Sequence, residues 1–185
     1  MLYLDADEFL ILNEHDNIKS FIESYNDNLQ IGINWVLFGS NFLTEEPDGM
    51  ILENYIRCHH GIDRHLKSFV KVKSIINSIN AHVYTVNNPN KSVCCYKSLT
   101  FDKTEPYWKN IPGKNYMDTS AYIAHYINQA YSVYEFRRLS RKRDDNSQYK
   151  IIYSENELHN VDNDLINIAV RDKYCNKNAE LMETL

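Results

Sequence analysis

Glycine and proline are scarce, at 5 and 4 of 185 residues, and no internal repeat or low-complexity block breaks the chain. A linker-rich or fibrous architecture is thereby excluded, and the length suits one domain with a real core. No apolar run approaches the ~20 residues of a membrane-spanning helix. Asp5 interrupts the apolar start too early for a secretory signal. Basic charge is not in excess either. The formal net charge of -5 argues against a general nucleic-acid or anionic-membrane binder. Cysteine is limited to Cys58, Cys94, Cys95 and Cys175, which form no C-x-x-C pair. Adjacent Cys94 and Cys95 would point to opposite faces of a strand. The four read as reduced structural thiols in a reducing compartment, and the expected location is cytoplasmic or membrane-peripheral.

What remains is an ordinary globular mixture, 43% hydrophobic and 24% charged. Met1 to Leu4 reads as a short buried strand of a parallel sheet covered on both faces. Asp16 is placed to cap a helix carrying Ile18, Phe21, Ile22 and Tyr25. QIGINWVLFG alternates, with Ile31, Ile33, Trp35 and Leu37 on one face and Gly39 at the strand end. SNFLTEEPDGM reads as a loop with a Pro-Asp-Gly turn. SFVKV, HVYTV and SVCCYKSL are strand candidates, SAYIAHY is a further apolar segment, and Thr104 to Asp118 reads as irregular. A helix is expected from Tyr131 into RRLSRKRDD, and another in the tail after Val161. Strands with intervening helices imply an α/β fold.

The opening MLYLDADEFLIL places Asp5, Asp7 and Glu8 inside an apolar run. Carboxylates at the C-terminal end of a buried strand sit where open α/β sheets bind ligands. Asp5 and Asp7, two apart, could grip one hard cation, Mn²⁺ or Mg²⁺, which keeps positions for substrate phosphates. A pair of turn-capping aspartates is the simpler alternative. His59 and His60, beside Cys58 and near His65, match no standard zinc spacing.

Several segments in order resemble one group of enzymes. LDADEFL is similar to the D-x-D-E-F segment of family 2-like and family 92-like glycosyltransferases with a GT-A fold. INWVLFGSN, the Lys67-Ser68 strand, AHVYTV, AHYINQAYSVYEFRRLSRKRDD and ELHNVDND resemble the segments that follow there. Lys71-Val72 stands where the family commonly has Arg-Pro, and Ala130 replaces a usual Ser. The resemblance implies a partial GT-A fold, a mixed sheet with flanking helices, over residues 1–172, with 173–185 as a tail. It implies transfer of a sugar from a nucleotide-sugar donor, UDP-linked, to a hydroxyl of a glycan, lipid or protein, with inversion. Asp5 and Asp7 would hold the cation, with His125 as a third metal or diphosphate contact. Gln129, Arg137 and Arg138 would contact the donor. Asp144 and Asp145 would pair with the arginine cluster that also includes Arg141, Lys142 and Arg143. Trp35 would stack on a sugar or pack in the core. Gly39 and Ser40 would shape the acceptor cleft, His82 would contact substrate or be a core histidine, and Glu53 is the candidate base. Glu8 is either a ribose-side contact or a helix-start acid.

Enzymes of that fold carry an N-terminal half before the D-x-D strand. Here the motif lies at residue 5, so the chain is expected to be incomplete and poorly stable alone. Two other readings stand beside this one. Haloacid-dehalogenase-like phosphatases also end a strand in D-x-D, although they rarely continue with a residue like Phe9. A non-catalytic carbohydrate-binding module is the other.

Overall fold

The computed structural model describes residues 1–78, 82–96, 115–140 and 152–182, with side chains to 175. In chain order the elements are β1 (Glu8–Leu12), α1 (Ile18–Ser24), β2 (Gln30–Leu37), α2 (Ile51–Asn54), β3 (Arg57–Cys58), β4 (Leu66–Val70), β5 (Ile75–Ser78), β6 (Tyr84–Val86), β7 (Ser92–Cys94), β8 (Ala121–His125), α3 (Tyr131–Ser140), α4 (Glu155–His159), β9 (Leu165–Ile166) and α5 (Ala169–Met182). The fold is mixed α/β. Two compact units are woven from alternating stretches of chain: Met1–Val36 with Gly61–His125, and Leu37–His60 with Tyr126–Leu185.

The first unit is built on a sheet ordered β1-β8-β2-β4, with β7 also pairing β2. Its ladders run both ways. β1–β8 and β2–β4 are antiparallel, and β2–β7 is parallel. Strand β2 is central and buried on both faces from Gln30 to Val36. Its polar residues survive there because each finds a partner. Gln30 exchanges two amide hydrogen bonds with the Tyr84 backbone, at 2.9 and 3.1 Å. Asn34 donates to the Asp63 carbonyl and accepts from the Cys94 thiol. Helix α1 starts one residue later than the sequence implies: Asn17, not Asp16, accepts the Ser20 N–H at 3.0 Å. Either side chain caps well, so propensity alone could not choose. Phe21 is the fully buried anchor of that helix.

The opening strand is displaced. Met1 exchanges backbone hydrogen bonds with Val70 at the end of β4, but Tyr3 and Leu4 are exposed and no strand forms there. The strand of this region is Glu8–Leu12, after the acidic cluster, and it pairs antiparallel with β8. The D-x-D therefore leads into a strand instead of closing one. The expectation of carboxylates at the C-terminal end of a buried strand is thereby corrected: Asp5 and Asp7 precede β1.

The second unit holds the small ladder β3–β9 and helices α2, α3, α4 and α5. Its α4 carries Ser154 at the N-cap, whose N–H and hydroxyl both reach Glu157, a reciprocal capping box. Helix α3 begins at Tyr131 as the pattern requires, and α5 runs on through residue 172. SVCCYKSL forms a strand over its first three residues; 97–99 and 104–114 lie outside the described residues, and Tyr116–Asp118 is a short 3-10 turn. All four cysteines are buried and free. No helix among the described residues is long and apolar enough to cross a membrane.

Candidate functional site

The acidic cluster closes on itself before β1 begins. Glu8 N–H donates to the Asp5 carbonyl at 3.1 Å, and Asp5 N–H donates back to the Glu8 carboxylate at 2.9 Å. This reciprocal turn throws Asp5, Asp7 and Glu8 together. Lys67 is the reason such a turn is stable beside a sheet. It lies mid-strand in β4, its side chain 3% exposed, and its ammonium reaches Asp5 at 2.8 Å and Glu8 at 3.3 Å. Its hydrogen bond holds the Asp5 carboxyl below the ordinary carboxylate range. Burial pushes the Glu8 carboxyl the other way, up, against the Asp5 N–H and the lysine. Burial also works against the charged lysine, but its bond to Asp5 and the charge of Glu8 prevail and raise its pKa.

The β1–β8 register sets Glu8 opposite His125. That brings His125 Nε2 to 3.8 Å from an Asp7 carboxylate oxygen, from the other end of the unit's sequence. Behind them lies Trp35, 9% exposed, with three imidazoles around it. His65 stacks on it at 5.0 Å and 19°, while His82 and His125 meet it edge-on at 5.4 and 4.3 Å. Backbone bonds Trp35 N–H to the His65 carbonyl and Asp63 N–H to the Trp35 carbonyl fix this stack. His82 Nδ1 donates to the Leu66 carbonyl at 2.8 Å, and burial lowers its pKa, which favours the neutral ring. Trp35 thus lies among imidazoles in the interior. The face of Trp35 that His65 stacks on is not open to a sugar ring.

Asp63 holds His65 in place through bonds to the ring Nδ1, at 2.5 Å, and to the backbone N–H, at 2.8 Å. Burial would raise the Asp63 carboxyl, but these bonds outweigh it and the pKa falls below the ordinary value. The stabilisation is therefore present above about pH 4 and lost as pH falls through the folded value. Asp63→Asn is expected to cost about 1–2 kcal/mol at pH 7. The gap to the parent should close toward pH 2 in urea titrations, and a gap that does not change with pH would refute this.

The residues fit a divalent cation in three respects. Three carboxylates, Asp5, Asp7 and Glu8, lie within four residues at this turn, and hard oxygen donors are what such a cation takes. Two ligands on bonds of about 2.1 Å lie roughly 3.0–4.2 Å apart, and Asp7 and His125 meet that span. Glu8 Oε1 is buried with no hydrogen-bond partner among the described residues. Asp5 is turned onto Lys67, so Asp7 and His125 are the two direct ligands the geometry offers. An imidazole ligand favours Mn²⁺ over Mg²⁺.

The other expected site residues belong to the second unit. Gly39 and Ser40 are packed against Asn163, whose amide donates to the buried Ser40 hydroxyl at 3.3 Å. Glu53 accepts the Met50 N–H at 3.3 Å, at the start of its own short helix. Gln129 donates to the Tyr126 carbonyl, and the Arg138 guanidinium lies over the Tyr134 ring at 5.1 Å. Arg137 is half-exposed on α3. Arg141, Lys142, Arg143, Asp144 and Asp145 lie outside the described residues.

Two groups escaped the sequence reading. Lys67 stood out only as part of a motif, although a lysine within LKSFV is itself a signal that a buried carboxylate waits nearby. Asp63 carried no signal beyond its closeness to His65. No protein-family model matches the chain, and no curated protein matches it.

Proposed function

We propose that this chain carries the metal- and diphosphate-binding part of a glycosyltransferase that moves a sugar from a UDP-linked donor to an acceptor hydroxyl. The observation that carries the reading is the meeting of Asp7 and His125 at 3.8 Å, beside an acidic turn locked by Lys67. Asp7 and His125 would hold Mn²⁺ or Mg²⁺. Bound there, the ion supplies positive charge to a departing diphosphate. Asp5 and Glu8 do not leave the turn; they hold its shape through Lys67. The Trp35–His65–Asp63 stack backs His125 and fixes its ring plane. The acceptor is a hydroxyl of a glycan, lipid or protein.

Titration calorimetry of UDP tests this. Affinity is expected to depend on Mn²⁺ and to fall about tenfold, near 1.4 kcal/mol, in Asp7→Asn and again in His125→Ala. UDP binding that ignores both the metal and Asp7 would refute the proposal and favour a non-catalytic carbohydrate-binding module.

A further inference from the structure

A second cluster lies in the other unit, apart from the D-x-D chemistry. In the short antiparallel ladder, Cys58 pairs with Leu165. His59 directly follows Cys58, and Asp164 directly precedes Leu165. His60 follows, its backbone N–H donating to the Asp164 carboxylate at 3.1 Å and its ring Nδ1 lying 2.8 Å from the same oxygen. His59 Nε2 is 3.8 Å from that oxygen, and the two imidazoles stand side by side with centroids 4.2 Å apart. Donor atoms of these three residues all fall within 4.8 Å of one another, and among the described residues no other such group of three occurs. The backbone beneath is tied down. His59 N–H donates to the Leu37 carbonyl at 2.8 Å, and Asn167 N–H donates to the Ile56 carbonyl at 2.7 Å.

From this we infer that His59, His60 and Asp164 form a binding site for Zn²⁺ or a similar late first-row divalent cation. Two imidazole nitrogens and one carboxylate oxygen suit zinc, whereas Mg²⁺ and Ca²⁺ want oxygen throughout. Zinc bonds of 2.0–2.1 Å in a tetrahedron put ligand atoms about 3.3 Å apart. The observed 2.8 and 3.8 Å to Asp164 straddle that distance, the two ring nitrogens lie within 4.8 Å of each other, and the side chains are 39–58% exposed, so the rings have room to turn onto one ion. The fourth position stays open to water. Cys58 is not a ligand. It is fully buried, and it is not among the donors that gather here. The sequence hid the site because its third ligand lies in the far ELHNVDND segment.

The cation would fasten β3 to β9, so its loading has a physical readout. Metal-stripped full-length chain is titrated with Zn²⁺ against a chromophoric chelator. The expected result is competitive uptake that weakens at least tenfold in His60→Gln and in Asp164→Asn. The titration is also run in an Asp7→Asn background, which removes a ligand of the proposed diphosphate cation; the uptake lost in His60→Gln should persist there, which separates the two sites. Zinc at a hundredfold excess over its Kd should raise the thermal midpoint of the parent by roughly 5–10 °C, and not that of His60→Gln. Circular dichroism checks that each variant folds. If Asp164→Asn does not, His60→Gln decides, since that ring is more than half exposed. Uptake that survives in His60→Gln, or no uptake by the parent, overturns the inference.

Discussion

Lys67→Met is expected to destabilise the chain by about 3–5 kcal/mol in urea denaturation at pH 7. Methionine matches the lysine stem in length, so the packing of β4 is nearly kept and the loss is electrostatic. Asp5 contributes little to it: its side chain is 68% exposed, and exposed ion pairs are worth about 0–1 kcal/mol. Glu8 contributes most, because its side chain is fully buried and Lys67 is the cation that faces it. Without Lys67 the carboxylate must either stay buried and uncompensated or take up a proton. Glu8→Gln in the Lys67→Met background should therefore recover much of the loss, whereas Asp5→Asn in the parent should cost about 1 kcal/mol or less. The lysine also holds its proton more tightly folded than unfolded. Its contribution is complete below its ordinary value of about 10.4 and fades as pH rises through the folded value. A Lys67→Met chain within 1 kcal/mol of the parent would show that the acidic turn does not depend on this pair.

Elements that announce themselves locally were legible in the sequence. QIGINWVL carries enough apolar, β-forming residues to be a strand in almost any setting. SFVKV marked a strand that in fact runs two residues earlier, over Leu66–Val70. SAYIAHY stood out only as an apolar segment and is β8, and the helix at Tyr131 starts where its pattern starts. The opening was misread because a buried strand is a statement about neighbours. MLYL is apolar enough, but β8 pairs with EFLIL, and this is the stretch that becomes the strand. The acidic residues of that opening were visible, and so was the chemistry they allow. Their geometry was not, because it is set by Lys67 and His125, which arrive 60 and more positions later. The same limit hid Asp164. Helical and strand periods report on neighbours within a turn or a ladder rung, and neither links His60 to a residue in a distant loop. Gly39 shows the converse: the sequence marked it correctly as a strand end, while the need for glycine comes from residue 163.

Gly39→Ala carries the second large effect, about 3 kcal/mol of destabilisation. Gly39 does not occupy the left-handed region, so alanine could adopt its backbone, and such a change would ordinarily stabilise by about 0.4–1 kcal/mol through the unfolded chain. The sign reverses because of space. A Cβ at this position would lie 2.6 Å from the Asn163 side-chain oxygen and 2.6 Å from the Asp162 carbonyl. Neither can retreat cheaply. The Asn163 oxygen accepts the Asn41 N–H at 2.9 Å, and its amide donates to Ser40, His159 and Val161. Asp162 is held with φ at 57° by the Asn128 amide, which donates to its carboxylate at 2.9 Å. The strain therefore passes along the chain to Asp164, the next residue after Asn163 and a proposed zinc ligand. Gly39→Ala should thus lower the urea midpoint and, in the fraction still folded, weaken zinc uptake without touching His59 or His60. Full parental stability would mean that the 162–163 turn yields, and then it could not position Asp164 either.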